Sequence, residues 1–184
     1  MDSAAQEIEV KYRLSDHDQI EQLLADRGLI LSEPVTQDDQ AYAPSDWCYG
    51  MSKQGVSFAR LRTQEDSHIF TLKQPVDNEM SCLEYETPIV DRAQMHEAIL
   101  LMGFSPTVRI VKTRRTASFG DLSICLDEVE HAGIFLEVEK VVPSGSSGSE
   151  VQAELDDFVQ SFGIRVERLH DTYDSLVRAN SVQV

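Results

Sequence analysis

The first strand-like segment of the chain alternates charged and apolar side chains. Glu7, Glu9 and Lys11 are separated by single apolar residues, Ile8 and Val10. Because successive side chains of a β-strand point to opposite faces, this spacing gives one charged face and one apolar face. A single solvent-exposed strand could show the same pattern, so its recurrence along the chain is what constrains the fold.

The alternation recurs in six later segments, and in each the charged residues share one face. The opposite faces carry apolar side chains such as Leu61, Leu83 and Leu136. The charged set contains seven acidic and six basic residues: Glu7, Glu9, Lys11, Arg60, Arg62, Lys73, Glu84, Glu86, Lys112, Arg114, Asp127, Glu137 and Glu139.

Periodicity and turn residues predict a single domain over residues 1–184 with a flexible linker at 142–149, where Ser and Gly dominate. Asp91 and Gln94 form a candidate capping box at the start of one helix. Strands are predicted at 6–14, 35–43, 56–63, 67–74, 82–90, 107–119, 121–129 and 133–142, and helices at 16–28, 91–102, 150–162 and 172–180.

Eight antiparallel strands can close into a barrel, which removes exposed edges. Two arrangements remain open for the charged faces: they surround an apolar barrel core, or they line a tunnel. The predicted helices have apolar stripes that must pack against another apolar surface. The apolar faces of the strands can provide this surface if they point outwards from the barrel. We therefore expect an α+β fold, an eight-stranded antiparallel barrel with a charged interior and helices packed outside.

Composition excludes several classes of partner. The formal net charge of −16 argues against a nucleic-acid surface, which needs a basic patch. No run of about 18 apolar residues is present, and the first residues lack the basic and apolar regions of a signal peptide. Three cysteines without metal-ligand spacing indicate reduced thiols. We expect a cytoplasmic protein that binds neither nucleic acid nor membrane.

The charged faces indicate a specific chemistry. Lys and Arg side chains are suited to a polyanion, with Arg gripping phosphate oxygens in a bidentate way. The carboxylates would repel such a ligand unless they hold Mg²⁺ or Mn²⁺, hard cations that prefer oxygen ligands. A metal-bound linear triphosphate satisfies both sets.

The ordered series of charged motifs resembles the CYTH superfamily, the triphosphate tunnel metalloenzymes, over nearly the whole chain. This superfamily includes class IV adenylyl cyclases and triphosphatases. The resemblance is carried by Glu7-x-Glu9-x-Lys11, Arg60-Leu61-Arg62, Thr71-Leu72-Lys73, Glu84-Tyr85-Glu86, Val111-Lys112-Thr113-Arg114, Leu126-Asp127-Glu128-Val129, Phe135-Leu136-Glu137-Val138-Glu139 and Thr172-Tyr173-Asp174-Ser175-Leu176.

The resemblance implies roles for these residues, with Mg²⁺ or Mn²⁺ as cofactor. Metal binding is expected of Glu7, Glu9, Asp127, Glu137 and Glu139, with Glu84 and Glu86 assisting a second metal or orienting the basic residues. Triphosphate binding is expected of Lys11, Arg60, Arg62, Lys73, Lys112 and Arg114. Glu7, Glu9 and Lys112 are the candidate catalytic residues, and a homodimer is common among the cyclases that this chain resembles.

Three functions remain open. The chain is a class IV adenylyl cyclase that converts ATP to cyclic AMP and pyrophosphate, a triphosphatase acting on a thiamine, nucleoside or inorganic triphosphate, or a non-catalytic binder of nucleotides or polyphosphate. Nearby carboxylates are expected to raise the pKa of Lys112, which favours an electrostatic role and the cyclase. Trp47, in a loop at 44–55 without a family counterpart, either stacks on a base or packs locally.

Overall fold

The structure is a computed structural model and describes residues 5–181. The strands in this part of the chain are β1 (Ala5–Leu14), β2 (Val35–Pro44), β3 (Phe58–Gln64), β4 (Ser67–Pro75), β5 (Ser81–Ile89), β6 (Phe104–Phe119), β7 (Leu122–Val129), β8 (Gly133–Pro143) and β9 (Glu167–Leu169). The helices are α1 (Asp18–Asp26), α2 (Arg92–Leu101), α3 (Gly148–Gln160) and α4 (Tyr173–Ser181).

The strands form one antiparallel sheet in the order β5-β4-β3-β2-β6-β7-β8-β1, and β1 closes the barrel by pairing with β5. The closing contact is short: it joins 6–8 of β1 to 81–83 of β5. Beyond it, the same edge of β1 pairs with β9, which the sequence analysis missed. The predicted eight-stranded barrel of an α+β fold is therefore confirmed, with β9 as a short addition.

The apolar faces of the strands point outwards and pack against helices. On β1, Ile8, Val10 and Tyr12 are at most 1% exposed. They belong to a cluster with the buried stripes of α1 and α3, in which each fully buried aliphatic side chain contributes about 1.5–3 kcal/mol. On the other side of the barrel, Ile99 of α2 packs against Leu61 of β3. The helices therefore cover the outside, and the charged faces point into the barrel.

Several element ends differ from the prediction. β6 begins at Phe104, before Pro106 rather than after it, because Pro106 lies beside a register shift in β2 where proline is tolerated. The predicted N-cap is confirmed, since the Asp91 carboxylate accepts a hydrogen bond from the Gln94 backbone N–H at 2.9 Å. The Gln94 side chain also donates to this carboxylate at 2.9 Å, so the reciprocal bond of a capping box is replaced by a second bond to Asp91. No helix within 5–181 is long and apolar enough to span a membrane.

The segment predicted as a linker at 142–149 is largely part of the folded structure. Its last two residues already belong to α3, which Ser147 caps, and Pro143 ends β8. The turn between them is bonded to the barrel, because the Gly145 N–H donates to Gln6 Oε1 at 3.1 Å. The Gly148 N–H donates to the Asp77 carboxylate at 2.8 Å. A run of Ser and Gly therefore serves here to let the chain approach the barrel closely.

A candidate active site inside the barrel

A cavity of about 340 Å³ occupies the barrel and is lined by the charged faces. Of the charged residues that the sequence analysis placed on one set of faces, all except Asp127 line it. The alternative of solvent-facing charges around an apolar core is therefore wrong. Burying so many charged side chains costs free energy of folding unless the charges are paired or a charged ligand enters.

Three of the predicted metal ligands form an acidic cluster, defined by Glu9, Glu137 and Glu139. One carboxylate oxygen from each residue lies within 4.8 Å of the others. The cluster follows from strand pairing, because β1 and β8 place Glu9 opposite Glu139 and Lys11 opposite Glu137. A set of three carboxylate oxygens suits a hard divalent cation such as Mg²⁺ or Mn²⁺.

Burial and like charge shape the acidity of this cluster. Burial raises the pKa of Glu139 to about 8, and the charges of Glu7, Glu137 and Glu9 add to the effect against the opposing Arg114. Burial and the charge of Glu137 also raise the pKa of Glu9. Burial alone would raise the pKa of Glu137, but Lys11, Arg114 and Lys112 together lower it well below its usual range. The three carboxylates repel one another, and a bound cation relieves that repulsion.

Two predicted triphosphate-binding residues neutralise the cluster. Lys11 Nζ lies 3.4 Å from Glu9 and 3.0 Å from a carboxylate oxygen of Glu137. Arg114 contacts Glu137 and lies 3.3 Å from Glu139. The cations expected to hold phosphate are therefore the counterions of the carboxylates expected to hold metal.

The other four predicted metal ligands lie apart from this cluster, beside basic side chains. Asp127 is fully buried and accepts hydrogen bonds from Arg114 and Lys112, the latter at 3.3 Å. Lys73 Nζ lies 2.8 Å from Glu7 and 2.7 Å from Glu84.

Glu86 is paired too, since Arg60 lies 3.3 Å from its carboxylate. Thr71 donates a further hydrogen bond to Glu86 at 3.1 Å. Arg60 also lies 3.6 Å from Glu84, so it bridges the two carboxylates of β5.

Lys112 behaves differently from the expectation. Burial lowers its pKa, and the neighbouring Arg114 lowers it further, against the opposing charges of Asp127 and Glu137. The carboxylates do raise this pKa, as expected, but burial and Arg114 outweigh them, so the expected net increase is wrong. The physical reason is that a fully buried ammonium loses its hydration and faces a second cation.

Asp39 of β2 was not predicted as a site residue. Its carboxylate receives two hydrogen bonds of 2.8 Å from Arg62, and both side chains are nearly inaccessible to solvent. Burial would raise the pKa of Asp39, but these hydrogen bonds and the charges of Arg60, Arg62 and Lys112 lower it to about 2. Parity could have found this residue, because Asp39 alternates with Gln37 and Ala41 and is paired across the sheet with Arg62.

Tyr173 was quoted in a motif but given no role. It begins α4, and its ring centroid lies 4.1 Å from Lys11 Nζ and 4.7 Å from Lys112 Nζ. Its hydroxyl donates to Asp127 at 2.8 Å. The C-terminal helix thus supplies a buried aromatic ring that fixes two of the tunnel lysines, an arrangement strengthened by cation–π attraction.

Comparisons with known proteins agree with this architecture. The sequence profile of the CYTH domain matches residues 5–173. A protein from Methanocaldococcus jannaschii, provisionally named an adenylate cyclase, is 23% identical over 165 residues, which are 89% of this chain and 93% of that protein.

Two solved structures show the same fold. A Pyrococcus horikoshii protein has a TM-score of 0.77 at 22% identity, and the match covers 96% of this chain and 98% of that one. A provisionally named adenylyl cyclase from Hippeastrum, described as having a dominant triphosphatase activity, has a TM-score of 0.62 at 16% identity, with 95% of each chain covered.

Proposed function

Since the chain belongs to the CYTH family, we propose that it is a divalent-metal-dependent enzyme that converts ATP to cyclic AMP and pyrophosphate. The observation that supports this function best is the pairing of the acidic cluster with basic residues in one cavity. The name of the Methanocaldococcus jannaschii relative points to the same reaction.

In this proposal, the acidic and the basic residues of the tunnel bind different parts of the metal–triphosphate complex. Glu9, Glu137 and Glu139 would hold the metal, whose charge offsets that of the phosphates. The basic residues would hold the triphosphate: Lys11, Arg60, Arg62, Lys73, Lys112 and Arg114. As phosphate oxygens replace carboxylates as the partners of Lys11 and Arg114, the carboxylates of the cluster become available as metal ligands.

The reaction forms one bond and breaks another at the α-phosphorus. The ribose 3′-hydroxyl attacks this phosphorus, its proton passes to solvent, and the bond to the departing pyrophosphate breaks. Lys112 and Arg114 are fixed by Asp127 and need little reorganisation to stabilise negative charge on the phosphates. Glu7 and Glu9, our other candidate catalytic residues, lie on the same face of β1.

Triphosphate hydrolysis is the second candidate, and the lowered pKa of Lys112 favours it. A lysine that loses its proton more readily is better suited to deprotonate water than the lysine of raised pKa that we expected. In this reaction water attacks a terminal phosphorus and orthophosphate is released. The activity ascribed to the Hippeastrum protein is of this kind.

Product analysis separates these reactions. The protein would be incubated with ATP, thiamine triphosphate and tripolyphosphate, each with Mg²⁺ or Mn²⁺ and each with excess chelator. Cyclic AMP and pyrophosphate from ATP support the cyclase, whereas orthophosphate supports the hydrolase. Binding of all three compounds without any product indicates a non-catalytic binder. Full turnover in excess chelator contradicts metal dependence.

A pH–rate profile tests the role of Lys112. If Lys112 deprotonates water, Lys112→Arg removes one ionisation from the profile, because arginine stays protonated throughout. If Lys112 acts only by its charge, Lys112→Arg keeps the shape of the profile. Lys140→Arg is the matched control, since Lys140 pairs with Asp121 and Glu154 on the outside of the barrel.

A further inference from the structure

The tunnel-facing side chains change from charged to apolar towards the end of the barrel where β2 stops and β3 begins. On β2 the cavity is lined successively by Asp39, Ala41 and Ala43. The two neighbouring strands show the same change. On β3, Arg62 and Arg60 are followed by Phe58. On β6, Arg114 and Lys112 are followed by the uncharged Ile110 and Thr107. On these three strands, the tunnel-facing residues at this end therefore lack the basic side chains that would hold phosphate.

The loop between β2 and β3, residues 45–57, adds aromatic rings to this end. Trp47 and Tyr49 both line the cavity. The Trp47 ring lies 5.0 Å from that of Tyr49 and 5.1 Å from that of Phe58 between centroids, in edge-to-face contacts at 66° and 89°. Trp47 Nε1 also donates to the Ser52 carbonyl at 3.1 Å, which orients the indole. Trp47 therefore packs locally and at the same time presents a wall to the cavity.

The loop is anchored to neighbouring elements. Lys53 Nζ lies 2.8 Å from Glu79 in the β4–β5 turn and donates to Thr172 Oγ1, just before α4, at 2.9 Å. The Arg178 guanidinium of α4 lies 3.8 Å above the Tyr49 ring. A wall held in this way loses little conformational freedom when a ligand binds, which favours affinity.

We propose that Trp47, Tyr49 and Phe58, with the space left by Ala41 and Ala43, form a subsite for the heterocyclic base of a nucleoside triphosphate. This inference rests on the proposed function of the tunnel. Aromatic and apolar walls beside a few polar groups are typical of small-molecule sites, and the cavity volume of about 340 Å³ is within their range.

Strand pairing places this subsite next to the phosphate-binding residues. Phe58 is paired across the sheet with Lys73, and Ala41 with Arg60. A base held against Phe58 therefore has its phosphates directed to Lys73 and Arg60.

Blocking the subsite tests the proposal. Ala41→Leu adds bulk where we expect the base, and binding would be measured calorimetrically with Ca²⁺ in place of Mg²⁺, after checking that no product forms. The Kd for ATP should rise about tenfold or more, while that for tripolyphosphate should change less than about twofold. Phe58→Ala, which removes the ring, should show the same selectivity.

Ala153→Leu is the control, since Ala153 is exposed on α3. The proposal is overturned if Ala41→Leu and Phe58→Ala leave ATP binding unchanged, or weaken ATP and tripolyphosphate equally with the melting temperature retained. It is also overturned if the unmodified protein binds tripolyphosphate as tightly as ATP, although the proposed triphosphate function then stands. If the unmodified protein binds neither ATP nor tripolyphosphate, both this proposal and the proposed triphosphate function are overturned.

Discussion

Arg114 contacts three carboxylates at once, those of Asp127, Glu137 and Glu139. Removing any one partner from such a buried group costs more than the pair itself contributes, because the remaining charge has already lost its hydration. Substitutions in the tunnel therefore have to be chosen so that effects on binding and on folding can be told apart.

Glu139→Gln meets this requirement. Its carboxyl has a pKa raised to about 8, so a neutral isostere changes its charge little, and Arg114 keeps Asp127 and Glu137 as partners; the fold should therefore stay intact. We expect turnover to fall by about 100-fold or more and Mn²⁺ binding to weaken, since a metal ligand is lost. Glu154→Gln, on the outer face of α3, should change neither quantity. A large drop in melting temperature with unchanged turnover per folded molecule would point to a structural role instead.

Asp39→Asn should destabilise the protein by about 3 kcal/mol, because Arg62 is left as an unpaired buried charge. The adjacent Asp38→Asn is a closely matched control: Asp38 also binds an arginine in a bidentate way, but Arg109 is 65% exposed. An exposed pair contributes less than about 1 kcal/mol. Urea unfolding of both variants measures the difference, and equal losses would show that burial of the Arg62 pair is not decisive.

Asp39 also gives a pH dependence of stability. Its pKa is lowered from 3.8 to about 2 in the folded protein, so its contribution is present above about pH 4 and is lost as the pH falls towards 2. A difference of this size corresponds to about 2 kcal/mol. The unfolding free energy of Asp39→Asn should lack this part of the acid-induced loss, which unfolding at several pH values would reveal.

At the scale of elements, alternation predicted the barrel because each strand has one apolar and one charged face. The charged residues in the cavity followed from the same parity. β9 could not be predicted, since only three residues pair and no alternation develops over that length. Lys53 was missed because its partners come from a turn and the start of α4, and loop contacts leave no periodic signal.

At the start of α3, composition misled the prediction. Gly148 was assigned to a linker, yet a Cβ there would lie 2.8 Å from both Asp77 Oδ2 and Ser81 Oγ. Gly148→Ala should therefore cost about 1–3 kcal/mol by overpacking. The neighbouring Ser149→Ala, at an exposed position of the same helix, should cost less than about 0.5 kcal/mol. Thermal unfolding compares the two, and equal stability would mean that the turn can move aside.

For the whole molecule, barrel closure depends on the short contact between β1 and β5. Gln6 is fully buried there, and its side chain donates to Ser81 Oγ at 2.8 Å and accepts from the Gly145 N–H at 3.1 Å. One side chain thus joins the first strand, the fifth strand and the turn before α3.

Gln6→Leu should open this closure, because it leaves buried polar partners without hydrogen bonds at a cost of about 1–3 kcal/mol each. Hydrogen exchange should accelerate in β1 and β5 more than in β6 and β7. The exposed Gln22→Leu on α1 is the control. Uniform acceleration in all strands would indicate that the barrel opens only by global unfolding.

The strand order also predicts the order in which the strands are incorporated during folding. β1 is synthesised first, but Glu9 is paired across the sheet with Glu139, near the end of the barrel sequence. Neighbouring hairpins such as β3–β4 and β6–β7 close short loops and can form early, whereas long loops close slowly. We therefore expect β1 to be incorporated last. That step brings Glu9 to Glu137 and Glu139 and also closes the barrel, so maturation of the fold and assembly of the acidic cluster are a single kinetic event.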